Sequence, residues 1–130
     1  MSQCETVLKS GEDAEMEYFL GMSALQLSEF ELAEKALTKS IDMDDVYPSV
    51  YYYRGICRLS LEKYGNAADD FTKSIKMKSM VQNSYLNRGI CRLMIEKPEL
   101  GLTDIRIAAD MEDDAEAKIQ ANQLYNKMMG

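Results

Sequence analysis

Three cysteines, pairs of adjacent aspartates and a complete lack of histidine define the chemistry open to this chain. Cys4, Cys57 and Cys91 have no CxxC spacing. Without histidine, neither a zinc site of the usual kind nor a Cys–His nucleophilic pair can be assembled. Asp69-Asp70 and Asp113-Asp114 are sequence neighbours. Neighbours on a helix point apart, so these carboxylates make a solvated face rather than a catalytic pair. No glycine-rich phosphate loop and no cluster of metal ligands is present. The expectation is a protein that is not an enzyme and needs no cofactor or metal.

The net charge of −7 argues against tracking a phosphate backbone, which requires clustered Lys and Arg, so nucleic acid is not expected as a partner. The acidity is read first as solubility, with basic partners as the alternative. No segment reaches the about 18 consecutive apolar residues of a spanning helix, so no membrane insertion is expected. The start, Met1 to Glu5, lacks the basic and apolar parts of a signal peptide. Cysteines without pairing spacing favour a reducing interior. The expected location is cytoplasmic, or exported if the chain was cut from a longer protein with a signal.

The elements that position these residues are copies of one unit. Gly21, Gly55 and Gly89 stand 34 residues apart. Twelve residues after each comes Ala33, Ala67 or Gly101; sixteen after, Leu37, Phe71 or Ile105; nineteen after, Ser40, Ser74 or Ala108. Such a period marks a supersecondary unit too small to bury its own apolar face, stacked in tandem. Each unit reads as two amphipathic helices, with turns near Ser28-Glu29, Glu62-Lys63 and Lys97-Pro98. A glycine inside a helix costs about 1 kcal/mol relative to alanine. Three at one register therefore indicate close approach of a partner helix, made by the small residues twelve and nineteen places later. Cys57 and Cys91 take equivalent slots two residues after the glycine, where Ser23 sits in the first unit. Both are expected to be buried, inert thiols. Equivalent points on stacked helices lie about 8–10 Å apart, beyond the ~7 Å reach of a disulfide.

These residues resemble the tetratricopeptide repeat, a 34-residue helix–turn–helix. The second unit gives Tyr51-x2-Arg54-Gly55-x2-Arg58 and Ala67-x3-Phe71; the third, Tyr85-x2-Arg88-Gly89-x2-Arg92 and Gly101-x3-Ile105; the first, Glu17-x2-Leu20-Gly21-x2-Ala24 and Ala33-x3-Leu37. The resemblance implies an all-α solenoid, a right-handed superhelix of three repeats at 14–47, 48–81 and 82–115, closed by a capping helix over 116–130. Residues 1–13 are expected to be a tail or the end of a preceding repeat, with Cys4 to Lys9 as last helical turns and Gly11-Glu12-Asp13 as a linker. The terminal proline of the pattern is replaced by Asp45, Ser79 and Asp113. Arginine stands before the glycine in two repeats, with aspartate fifteen residues after it: Arg54 with Asp70, and Arg88 with Asp104. In the first repeat the same slots hold Leu20 and Ala36. The slots change together, so intra-repeat ion pairs with a structural role are expected.

Relatives of this kind bind peptides on the concave face, along the first helix of each repeat. The resemblance places there three apolar columns: Tyr18, Tyr52 and Leu86; Met22, Ile56 and Ile90; Leu25, Leu59 and Leu93. Such a strip is either an open groove or filled by its own side chains. One branch of the family grips a chaperone's C-terminal carboxylate with Lys, Asn and Arg. Here Tyr18, Met22, Tyr52 and Ile56 occupy that lining and only Asn87-Arg88 echoes it, so such a clamp is not expected. The implied function is a non-catalytic protein-interaction module for an apolar peptide or amphipathic helix. The alternative is a structural spacer or oligomerisation segment, dimerising through the edge near Ala14 to Tyr18 or through the capping helix.

Overall fold

The computed structural model describes residues 3–43 and 47–130, with side chains from Asp13 onward. The join at Asp44 and Asp45 and the Cys4 side chain lie outside the described residues. Among the described residues seven helices follow one another: α1 (Gln3–Gln26), α2 (Phe30–Met43), α3 (Ser49–Ser60), α4 (Tyr64–Lys76), α5 (Val81–Met94), α6 (Pro98–Asp110) and α7 (Ala115–Met129). Each packs on its neighbours in sequence. Beyond that, α1 touches α3, α3 touches α5 and α5 touches α7, whereas no two even-numbered helices meet. The odd helices thus form a closed inner layer and the even ones a splayed outer layer, which bends the stack toward the odd side.

Helix α1 runs unbroken through Gly11, Glu12 and Asp13, which corrects the expected linker. One glycine costs a helix only about 1 kcal/mol, and the residues on either side of these three continue the helix.

The inner helices end alike. Ser28, Glu62 and Glu96, again 34 residues apart, adopt left-handed backbone with φ of 59°, 62° and 60°. The next amide reaches back five residues in each case, Glu29 N to Ala24 O, Lys63 N to Arg58 O and Lys97 N to Arg92 O, at 2.8, 2.7 and 2.8 Å. This is the Schellman arrangement, here without the usual glycine. Pro98 then opens α6 at a position where no amide hydrogen is needed.

The glycines do sit at close approaches, but the approaching residue differs from the expectation. A Cβ at Gly21 would lie 2.6 Å from Leu37 Cδ2, and one at Gly55 2.8 Å from Phe71 Cε1. The bulky residue sixteen places on fills most of the space, and the one nineteen on takes no part. The twelfth residue comes in as well in two repeats: a Cβ at Gly21 would lie 3.4 Å from Ala33 O, and one at Gly89 would meet Gly101 O at 2.8 Å beside Ile105 Cγ1 at 2.8 Å. The nineteenth residues tie helix ends instead. Ser40 Oγ donates to Ala14 O at 2.8 Å, and Ser84 Oγ donates to Ser74 Oγ at 3.1 Å. Ala108 O accepts from the buried Gln82 amide at 2.8 Å. That amide also donates to Met111 O and accepts from Asp114 N, which locks α5 to the start of the capping helix.

Arg54 clasps Asp70 with two hydrogen bonds, Nε to Oδ2 at 3.0 Å and Nη2 to Oδ1 at 2.8 Å. Arg88 clasps Asp104 the same way, both at 2.9 Å. Each arginine also reaches the preceding unit, through Thr38 Oγ1 at 3.3 Å and Thr72 Oγ1 at 3.1 Å. A second arginine joins each carboxylate: Arg58 Nη1 at 3.0 Å from Asp70 Oδ2, and Arg92 Nη1 at 2.8 Å from Asp104 Oδ2. Arg58 further donates to Glu34 Oε2 at 2.9 Å, whose other oxygen accepts from Lys63 at 2.7 Å. Burial raises the Glu34 pKa, yet hydrogen bonds and charge from Lys63 and Arg58 outweigh it and leave it below the usual glutamate value. Asp70 and Asp104 are almost wholly buried, which corrects the solvated face expected for Asp70, and each uses its acceptor sites on protein donors rather than water.

Cys57 and Cys91 are free and fully buried. Burial, above all, pushes their thiols up to about 11 and about 12. Because the thiolate is the reactive form, both are expected to resist Ellman's reagent in the native protein and to react promptly in denaturant, as peptide mapping of modified sites would read.

Candidate interaction groove

The inner face of α1, α3 and α5 carries the columns expected to line a groove, but they do not stand equally open. Tyr52 and Leu86 are 8% and 4% exposed and belong to the core. Tyr52 packs with Ala67, Phe71 and Cys91, and Leu86 with Ile105, Ala117 and Ala121. As groove lining, these two are corrected to floor. The next unit covers each of them, α5 over Tyr52 and the capping helix over Leu86. Burial, then the neighbouring Tyr53 and the Asp114 carboxylate, push the Tyr52 hydroxyl up to about 12, opposed by a hydrogen bond with Asn87.

The other seven positions are half-buried. Tyr18 and Leu25 pack on the core of the first junction, Ile56 and Leu59 on that of the second, and Ile90 and Leu93 on that of the third. The strip is therefore filled from beneath and open above, between the two alternatives. Its most open apolar members stand outside the three columns, Met94 at the expected edge of the lining and Phe19 unforeseen. Phe19 is 58% exposed and Met94 55%. The signal was available: Phe19, Tyr53 and Asn87 share the slot two residues before each repeat glycine.

At the first junction the Tyr18 ring stacks on Tyr47, with centroids 5.2 Å apart and planes 11° apart. Phe19 meets Tyr18 edge-on at 5.6 Å. The Tyr18 hydroxyl lies 3.1 Å from Ser49 Oγ, and Tyr47 OH donates to Glu15 Oε2 at 3.2 Å. At the far end, Asn83 Nδ2 donates to Asp114 Oδ2 at 3.1 Å. The other Asp114 oxygen accepts from the amides of Glu116 and Ala117 and so caps α7. The Asn83 amide, first, and the Ala117 amide hold the Asp114 carboxyl below its usual range.

Among the described residues no lysine or arginine stands on this face at the inner positions of α1, α3 and α5. Arg88, half of the one echo of a carboxylate clamp, is turned toward α6 and spent on Asp104 and Thr72. Depressions of about 370 and 400 Å³ open at the turns by Ser28–Leu32 and Glu96–Leu100, and one of about 330 Å³ opens beside Lys78, Asn83 and Asp114 at the far end. The inner face is a shallow channel, suited to a chain segment rather than to an enclosed small molecule. Among the described residues no helix is long and apolar enough to cross a membrane, and no group of side chains could hold a metal ion.

No family model and no curated protein matches the chain. Solved structures do. The TPR domain of Arabidopsis OM64 superposes with a TM-score of 0.78 at 23% identity, over 92% of this chain and 98% of that one. The TPR2B domain of yeast Sti1, solved as a complex with pHsp70, gives 0.77 at 21% identity, over 89% and 95%. The first TPR of Spaghetti (RPAP3), bound to the HSP90 peptide SRMEEVD, gives 0.76 at 19% identity, over 92% and 96%. What these proteins share with this chain is the fold, an all-α tetratricopeptide-repeat solenoid.

Proposed function

We propose that this chain is a non-catalytic protein-interaction module that takes an apolar peptide or amphipathic helix along the inner face of α1, α3 and α5. The observation that carries this reading is the continuity of the half-open apolar strip, from Phe19 and Met22 through Ile56 to Ile90 and Met94. Two of the similar structures hold chaperone ligands, one of them a peptide ending in Glu-Glu-Val-Asp. The inner face here lacks the cations such a tail calls for, so the expected partner is of a different kind. Charging the open wall tests this. The double variant Met22→Lys, Ile90→Lys is expected to keep its helical circular dichroism and to lose the proteins that co-purify with the parent chain. Retention of the same proteins by the variant would move the site to the outer helices or the turns.

One observation favours assembly as the second reading. Leu20, in the slot that holds arginine elsewhere, is 46% exposed, and Leu32 stands beside it on the same depression. A concentration-dependent dimer in light scattering, abolished by Leu20→Lys, would support a structural spacer instead.

A further inference from the structure

Glu15, Tyr18 and Phe19 fall on one face of α1, at i, i+3 and i+4. Tyr47, entering from the segment before α3, lies flat on Tyr18 and donates its hydroxyl to Glu15. The carboxylate is thus fixed beside a group of three rings, with Phe19 largely in solvent. A carboxylate has about four acceptor sites, and among the described residues no lysine or arginine is paired with Glu15. Arg54, Arg58, Arg88 and Arg92 are committed to Asp70 and Asp104, and Lys63 to Glu34, while Lys78 lines the depression beside Asp114 at the far end. The channel consequently runs between two carboxylates, Glu15 at the first junction and Asp114 at the cap. A cation seated among aromatic faces and against a carboxylate gains from both contacts, and a peptide's acidic end meets repulsion at Glu15.

We propose that Glu15, Tyr18, Phe19 and Tyr47 form a subsite for a lysine or arginine side chain of an otherwise apolar peptide bound along the inner face. The proposal rests on the groove reading above and deepens it. The ligand it assigns is opposite in charge to the acidic tail carried by one of the similar structures. Binding is correspondingly salt-sensitive, because the contact lies at the open rim of the channel.

A random 12-residue peptide display library supplies the probe, selected on the parent chain and counter-selected on Met22→Lys, Ile90→Lys. Groove-dependent peptides are expected to be enriched in Lys and Arg and depleted in Asp and Glu. For the best of them, replacing the basic residue by norleucine is expected to weaken binding about tenfold to the parent chain and less than about twofold to Glu15→Gln or Phe19→Ala. Groove-dependent peptides without basic enrichment, or an equal loss on parent and variants, would overturn the cation subsite and leave the groove standing. If no peptide depends on the groove, both readings fall.

Discussion

Asp70→Ala is expected to lower the unfolding free energy by about 3–5 kcal/mol, the cost of leaving a buried ion pair without one partner. Two guanidinium groups lose their acceptor at once, since Arg54 and Arg58 both donate to this carboxylate. The Asp70 side chain is 4% exposed, so water cannot readily replace it. Against a total of about 5–15 kcal/mol for a domain of this kind, that loss would leave a sizeable unfolded population. Repeat one shows the remedy, because Leu20 and Ala36 occupy the same two slots without charge. The double variant Arg54→Leu, Asp70→Ala is therefore expected to regain at least half of the loss, with Arg58 keeping Glu34. Urea denaturation followed by circular dichroism reads both. A midpoint for Asp70→Ala equal to that of the parent chain would mean that the pair holds nothing together.

The second large effect turns on the sign of a glycine substitution. In the open interior of a helix, Gly→Ala gains about 1 kcal/mol. Gly65, in the first turn of α4, has nothing within 4 Å of a new Cβ, and Gly65→Ala is expected to stabilise by about 0.5 kcal/mol. Gly89→Ala should do the reverse, by about 2–3 kcal/mol. Its Cβ would press on the Gly101 carbonyl, which is backbone and can yield only if α6 moves away from α5. Gly21→Ala meets the Leu37 side chain at 2.6 Å, with the Ala33 carbonyl further off at 3.4 Å, and should cost less because a side chain yields more readily than backbone. Equal melting temperatures for Gly65→Ala and Gly89→Ala would dissolve the argument that the register marks a close contact.

Much of this was legible because period is a property of side-chain size. The helix pairs, their turns and the pairing of Arg54 with Asp70 and Arg88 with Asp104 all followed from slots that change together. The second arginine on each carboxylate did not. Arg58 and Arg92 sit where the repeat pattern has tyrosine, and nothing in their own slot, about one helix turn after the first arginine, pointed to the same aspartate. The wall of the groove was also blurred. Helical periodicity finds the apolar side of Tyr52 and Leu86 but cannot say whether the next unit lies over it, and that decides floor from lining. Tyr47 was invisible for a related reason. It precedes a helix, outside any column, and gains its place only when the first two pairs stack.

Each helix meets the ones adjacent to it in the chain, and contact beyond that reaches no further than the second neighbour. Forming the structure therefore never requires bringing distant parts of the chain together across a long loop. The search is local, the entropy of closure is small at every step, and rapid folding follows. Loss of order obeys the same geometry. The molecule has no central element whose failure brings down the rest, so unravelling starts at an end and travels inward one pair at a time.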